Sequence, residues 1–128
     1  MSALKKITPV LIVETIEKNL PFWCEKLGFS RQVEVPHGDR LGFVILASGA
    51  ASVMLQSRAS VRDDIAALAD DTYRSALYVE VEDLAPIREA TKGLKTLFEE
   101  RTTFYGAREI GVRDPEGNAV LFAEAAAK

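Results

Sequence analysis

The chain carries one sequence pattern twice, at a spacing of 68 residues. An apolar run ends in Val13-Glu14-Thr15-Ile16 and opens an amphipathic helical stretch, and a second run leads into Val81-Glu82-Asp83-Leu84 in the same way. Alternating strands separated by turns follow each copy. Self-similarity at this spacing predicts two copies of one supersecondary unit, each too small to bury its own apolar face, so the copies must pair. The concave surface between paired copies is therefore where we expect function to reside.

Each copy is predicted to contain a strand, a helix and three further strands. Apolar residues recur at helical spacing at Leu20, Trp23 and Leu27, while strands alternate or run continuously apolar between turns. Pro21 lacks a backbone donor, so the first helix should begin near Asn19. The predicted strands are 7–13, 29–35, 40–47, 52–57, 76–81, 95–103, 107–113 and 119–124, with a turn at 36–39 and a second helix from Asp83 to about Thr91.

A charged connector between the copies is predicted to form a short surface helix. Ser60 with Asp63 resembles a capping box, and Val61, Ile65 and Leu68 share one helical face. The size of the chain favours a single domain. That domain, 1–128, would consist of module one (about 5–57), the connector (58–75) and module two (about 76–124), and its fold class is α+β.

Composition favours a soluble globular protein, because 48% of the residues are hydrophobic and 27% are charged. A net charge of -3 with interspersed signs argues against a nucleic-acid partner. No apolar run approaches the ~20 residues that span a bilayer, and residues 1–6 lack the apolar segment of a secretory signal, so we expect no membrane partner. Cys24 has no second cysteine to pair with, which favours the cytoplasm. A small core residue is the favoured interpretation of Cys24, and a reactive thiol is the alternative.

Several motifs resemble the vicinal oxygen chelate superfamily of glyoxalase I, extradiol dioxygenases and bleomycin-resistance proteins. The resemblance implies two βαβββ modules that form a cup-shaped, mostly antiparallel mixed sheet with helices on its outer face. It also implies a homodimer whose cups draw on both chains. The motifs that carry it, in order, are Val13-Glu14-Thr15-Ile16, Leu20, Phe22-Trp23, Leu27-Gly28-Phe29, Tyr105-Gly106-Ala107-Arg108 and Asp114-Pro115-Glu116-Gly117-Asn118.

Enzymes of that superfamily hold a divalent metal with His and Glu from the first and last strands of each module. The resemblance places these positions at Thr8 and Ala76 in the first strands, and at Met54 (or Gln56, two residues on) and Leu121 in the last. None of Thr8, Ala76, Met54 and Leu121 is a strong metal ligand. The chain is therefore predicted to have no metal, no cofactor and no catalytic residue, and it is closest to the metal-free bleomycin-resistance-like members. His37, the one histidine, is predicted to be a solvated turn residue.

Strand alternation predicts which side chains line the cup. Tyr78 and Glu80 should face inward because Leu77 and Val79 belong under a helix. Tyr78 could instead fill the cup, Trp23 should pack in the core, and Arg108 could pair with Glu109 or Glu100. The predicted ligand-binding residues are Thr8, Phe43, Met54, Gln56, Tyr78, Glu80, Phe104, Tyr105, Arg108 and Leu121.

The leading hypothesis is a metal-independent protein that binds a small organic molecule, with antibiotics and aromatic metabolites as candidates, in the manner of the glyoxalase/bleomycin-resistance type. One alternative is a lyase, isomerase or dioxygenase-like enzyme of the same fold. The other is a regulatory or partner-binding dimer whose cup is filled by its own side chains. Fold alone does not choose among the three.

Overall fold

A computed structural model describes residues 6–72 and 76–126. The chain divides into two compact units, Met1–Asp71 and Thr72–Lys128. The last residues of the predicted connector, 73–75, lie outside the described residues, as does the start of module one at residue 5. Within the described residues, no helix has both the length and the apolar character needed to cross a lipid bilayer.

The first unit is a four-stranded sheet with three short helices. Strand β1 runs parallel to β4, and the other neighbours are antiparallel, in the order β1-β4-β3-β2. The elements are β1 (Val10–Val13), α1 (Pro21–Lys26), β2 (Ser30–His37), β3 (Arg40–Ser48), β4 (Ala51–Ser57), α2 (Arg58–Asp64) and α3 (Ala66–Ala69).

One face of this sheet is the core and the other is open. Val44, Leu46 and Leu55 are fully buried, whereas the residues that alternate with them, such as Ile45 and Met54, are half-buried. This period of two is what a sheet covered by helices on one side produces. We call the face opposite the helices the open face.

Helix α1 has the wide turns of a π-helix. The Leu27 N–H donates to the Phe22 carbonyl at 3.2 Å, five residues back. As predicted, the helix begins just after Asn19, and Pro21 lies in its first turn. Trp23 is 1% exposed and makes edge-to-face contacts with Phe22 and Phe29 at ring distances of 5.2 and 5.4 Å, so its core assignment is confirmed.

Two strand boundaries in the first unit differ from the prediction by two or more residues. Strand β1 starts at Val10 instead of residue 7, because Pro9 has no N–H to donate and only its carbonyl joins the sheet, accepting from Met54 N at 3.0 Å. Strand β2 continues through Pro36 to His37, which pairs with Arg40, so the turn shrinks to residues 38–39. Proline is accommodated there because β2 is an edge strand.

The connector is helical, as predicted, but its cap differs. The hydroxyl of Ser57, not that of Ser60, accepts the first free backbone N–H, from Ser60 at 3.2 Å. Val61 is buried, whereas Ile65 ends the helix and is half-exposed, so the two do not share a buried face. Helix α2 follows β4 directly and packs against the first sheet.

The second unit repeats the topology of the first, with β5 parallel to β8 and the order β5-β8-β7-β6. Its elements are β5 (Ala76–Val81), α4 (Ala85–Ala90), β6 (Thr96–Thr102), β7 (Arg108–Arg113) and β8 (Ala119–Glu124). The bounds of β5 and β8 are as predicted. In the turn before β8, the Asp114 carboxylate accepts the backbone N–H groups of Glu116 at 2.9 Å and Asn118 at 2.8 Å. The predicted α+β class and the two-copy pattern are thus confirmed.

Candidate ligand-binding site

One face of the second sheet carries Tyr78 and Glu80 together with charged side chains of β6 and β7, and we call it the open face of that sheet. Pairing aligns Glu80 on β5 with Ala123 on β8, and Ala123 with Glu109 on β7. Arg101 on β6 pairs with Glu109 and completes that row. The neighbouring row is Tyr78, Leu121, Gly111 and Phe98. Two of the predicted ligand-binding residues on β5 therefore lie on one surface with Leu121, as alternation predicted.

Glu109 is the buried charge of this surface. Glu109 is 2% exposed, and its Oε1 atom accepts a hydrogen bond from the Arg101 guanidinium at 3.0 Å. The Tyr105 hydroxyl donates to Oε2 at 3.4 Å. A buried carboxylate is costly unless it is paired in this way. Glu109 therefore fixes the positions of both Arg101 and Tyr105.

Tyr78 and Tyr105 act together at this surface. A hydrogen bond with Tyr105, together with partial desolvation and the charge of Glu109, raises the pKa of Tyr78 above its ordinary value. Both rings remain about half-exposed. The pair thus presents apolar ring faces while the hydroxyl groups are engaged near Glu109.

Arg101 is held from a second direction by an aromatic ring. Its guanidinium carbon lies 3.9 Å from the centre of the Phe98 ring. The Phe98 ring in turn covers Gly111, where an added Cβ would lie 2.7 Å from the ring carbon Cε2. A glycine on β7 thus makes room for the layer of Phe98 and Arg101.

Two adjoining depressions share Tyr105 as a wall. The first, of about 240 Å³, is lined by Tyr78, Tyr105, Glu80 and four alanines, among them Ala123. The second, of about 390 Å³, is a groove between Arg101, Thr103, Phe104 and Tyr105. We call them the alanine pocket and the arginine groove. A lining of mostly apolar side chains with a few polar groups is typical of sites for organic ligands.

The loop that carries Phe104 and Tyr105 is held by backbone geometry. Gly106 has φ +89°, and an added Cβ there would lie 2.9 Å from that of Ala126, so the chain after β8 packs closely on the loop. The Thr103 hydroxyl accepts the Ala107 N–H at 3.0 Å. Phe104 is fully exposed and meets Tyr105 edge-to-face at 4.9 Å. The loop therefore projects Phe104 outward and leaves Tyr105 over the alanine pocket.

Arg108 does not join this surface. It precedes Glu109 on β7 and so points to the opposite face, where it pairs with Glu100. Glu100 also binds Arg88 of α4 at 2.8 Å. The two arginines hold the pKa of Glu100 well below its usual range, at about 2. The ion pair with Glu100 that the sequence left open for Arg108 is the contact that the structure has.

The first unit gathers a different set on its open face. Phe43 pairs with Gln56, and Met54 lies between Ile45 and Val10, which gives a nearly continuous apolar surface. The Gln56 amide donates to the Ser60 hydroxyl at 3.2 Å. Thr8 is half-buried and precedes β1 instead of lying in it. This surface offers apolar contact with one amide at its edge.

The sequence predicted His37 to be a solvated turn residue, and the structure places it in a strand instead. It ends β2, is about one-third exposed, and its Nε2 atom lies 2.7 Å from Asp63 Oδ2. An added Cβ on Gly42 would lie 2.5 Å from His37 Cβ, so close packing there depends on glycine. The correction follows from β2 being longer than predicted.

Glu109, Arg101 and Phe98 were missed as candidate site residues. Glu109 was predicted only as a possible ion-pair partner of Arg108. Strand parity was the available signal, because the predicted strand 107–113 places Glu109 and Gly111 on the face opposite Arg108. Phe98 and Arg101 carried no such signal, since β6 contains register shifts on either side of Phe98.

The profile of the Glyoxalase/Bleomycin resistance protein/Dioxygenase superfamily matches residues 5–122. The chain belongs to this superfamily. No curated protein matches the sequence. Among solved structures, a glyoxalase/bleomycin resistance protein/dioxygenase from Nocardioides is 19% identical with a TM-score of 0.74, over 98% of this chain and 87% of that one. A lactoylglutathione lyase from Agrobacterium tumefaciens is 15% identical with a TM-score of 0.72 over 96% of each chain. TioX from Micromonospora is 18% identical with a TM-score of 0.73, over 97% of this chain and 98% of that one.

The superfamily's divalent metal does not fit the side chains at the expected positions. Tyr78 pairs with Leu121 and Val10 pairs with Met54, so the two units place equivalent residues in equivalent register. Around these pairs, Thr8 and Ala76 supply at most one hydroxyl. Among the described residues, no three His, Cys, Asp or Glu side chains gather in a way that could hold a metal ion. The donor set therefore does not match the requirements of a divalent cation.

Proposed function

We propose that this superfamily member is a metal-independent binding protein for a small organic molecule. The alanine pocket and the arginine groove carry the proposal, because Tyr105 forms a wall of both and offers one ligand a small recess and a longer channel. Buried Glu109 holds that wall in place, so the site is preorganised. The chemistry at the superfamily's metal positions supports binding without a metal.

A thermal-shift panel tests the proposal. Amine-bearing antibiotics, aromatic acids and neutral aromatic compounds are added singly, and a ligand at 100 times its dissociation constant should stabilise the fold by about 2.7 kcal/mol. The shift should vanish in Tyr105→Ala and should be unchanged after exhaustive chelation with EDTA. A shift that needs an added divalent metal would contradict the metal-independent part of the proposal.

A second candidate function is an isomerase or lyase that uses the same pocket. The observation that favours it is the placement of a phenol and a carboxylate, Tyr78 and Glu80, along one pocket wall. A carboxylate can remove a proton, and the Tyr78 phenol could donate to the developing oxyanion once its hydroxyl leaves Tyr105. Exchange of ligand C–H protons with D₂O, followed by NMR, distinguishes the two functions. Exchange that Glu80→Gln abolishes would favour the enzyme over the binding protein.

We further propose a homodimer, with a second copy of the chain and a small organic ligand as its partners. The support is the apolar open face of the first sheet, where Val10, Val33 and Val35 remain 47%, 41% and 46% exposed. Apolar surfaces of this kind mark interaction sites.

A further inference from the structure

We propose that the alanine pocket recognises an ammonium group, protonated or quaternary, on an organic ligand. The inference rests on the proposed function and specifies the ligand class for it. Its basis is the combination of an unpaired carboxylate, Glu80, with the side chains of Tyr78 and Tyr105 in the lining of one recess.

The charge of the recess favours a cation. Glu80 makes no hydrogen bond or ion pair with any other residue that the structure describes, although eight ion pairs occupy many of the other charged side chains. Of the side chains lining the recess, it alone carries a formal charge. Arg101, which lies in the same row of paired residues as Glu80, is already paired with Glu109. The recess therefore has a net charge of minus one, which disfavours an anionic ligand.

The rings add an attraction that a simple carboxylate lacks. Tyr78 and Tyr105 are both about half-exposed and both line the recess. The faces of phenol rings attract cations, and quaternary ammonium ligands are commonly recognised between aromatic side chains. The hydroxyl groups are engaged near Glu109, so the rings, not the hydroxyls, remain for the ligand.

The size of the recess sets the size of the group. At about 240 Å³ it lies below the ~300 Å³ of ordinary ligand pockets, so it suits a head group better than a whole ligand. Its remaining walls are alanines, which make room for methyl groups and offer no competing side-chain hydrogen bonds. The adjoining arginine groove would take the body of the ligand past Tyr105 and Phe104.

Choline and its neutral carbon analogue 3,3-dimethylbutan-1-ol test the inference, because they match in shape and differ in charge. In titrations followed by ¹H–¹⁵N NMR, choline should bind with saturable shifts at Ala107, Ala123 and Ala125. The neutral analogue should bind at least about tenfold more weakly. Added NaCl should weaken choline binding only. Equal affinities, or no saturable binding of choline, would overturn the inference.

Variants locate the effect. Glu80→Gln should weaken choline roughly threefold to fivefold, while Glu25→Gln, an exposed carboxylate in the first unit, should leave binding unchanged. Tyr78→Leu should weaken choline by a similar factor, and Tyr78→Phe, which keeps the ring, should lose less affinity than Tyr78→Leu. Spectra of each variant without ligand confirm that it folds. An unchanged affinity in Glu80→Gln, or equal losses in Tyr78→Leu and Tyr78→Phe, would contradict the assignment.

The inference and the proposed function can fail separately. If panel compounds stabilise the protein through Tyr105 while choline does not bind, the binding function stands and the ammonium assignment falls. If benzoate binds in place of choline and shifts Ala123, the recess prefers an anion and the assignment is wrong. If neither choline nor any panel compound binds, both proposals fail.

Discussion

At the scale of single residues, Gly111 decides whether Phe98 can lie across β7. A methyl group there would meet the Phe98 ring carbons at 2.7 and 2.8 Å, and the guanidinium of Arg101 blocks the ring from the other side at 3.9 Å. Gly111→Ala should therefore cost about 1–3 kcal/mol in the free energy of unfolding, measured with urea. Phe98→Leu in the same background should recover part of the loss, since a smaller side chain removes the clash. Strictly additive costs of the two changes would show that the contact is unimportant.

The buried carboxylate gives a second residue-scale prediction. Arg101→Met leaves Glu109 buried without its cation, which should lower the free energy of unfolding by about 1–3 kcal/mol. Arg101→Met with Glu109→Gln should be more stable than Arg101→Met alone, because the uncompensated charge is gone. Arg62→Met is the matched control, since it breaks an exposed pair with Asp70 and should change stability little. A similar loss in the free energy of unfolding in both arginine variants would contradict the prediction that the pair with Glu109 matters because Glu109 is buried.

At the scale of elements, Glu100 ties α4 to β6 and β7 through Arg88 and Arg108. These arginines lower its pKa from 4.5 to about 2 in the folded protein. The ion pairs therefore stabilise the fold fully above pH 4.5, and the stabilisation is lost as the pH falls from 4.5 toward 2. The wild type should lose its advantage over Glu100→Gln across this window, as followed by urea midpoints. At neutral pH, Glu100→Gln should also destabilise the fold more than Glu89→Gln, which breaks the exposed pair with Lys92; equal losses would contradict the prediction.

Elements were predictable from the sequence where local signals agreed. Strand β5 alternates cleanly, and β8 follows the strong turn signal Asp114-Pro115-Glu116-Gly117-Asn118, so their limits were predicted correctly. Strands β1 and β2 were not, because the sheet accepts Pro36 on an edge and excludes Pro9, and neither outcome can be judged without knowing the strand's neighbours. The same applies to Phe98 and Arg101, whose positions depend on register shifts in β6. Local patterns thus predict elements, while the composition of the site depends on pairing.

At the scale of the whole molecule, the two copies keep one topology and differ in chemistry. Both sheets place a parallel pair beside two antiparallel neighbours. The open face of the first is almost entirely apolar, whereas that of the second carries Tyr78, Glu80, Arg101 and Glu109. The repeat in the sequence therefore predicted the scaffold of both units. The polar network could not be predicted without knowledge of the strand pairing. Divergence of this kind is expected because one scaffold can carry different sites.

The apolar open face of the first sheet leads to a prediction about assembly. Val33 and Val35 lie on its edge strand β2, where an exposed row of aliphatic side chains invites a second chain. The protein should therefore sediment as a dimer of about 28 kDa, twice the mass of its 14.0 kDa chain. Val33→Asp should shift the equilibrium toward the monomer because burying an unpaired carboxylate is costly. Ile65→Asp, which places the same charge on an exposed aliphatic position after α2, should leave the dimer intact. A wild-type monomer at micromolar concentrations would contradict the prediction, and equal dissociation of both variants would place the interface elsewhere.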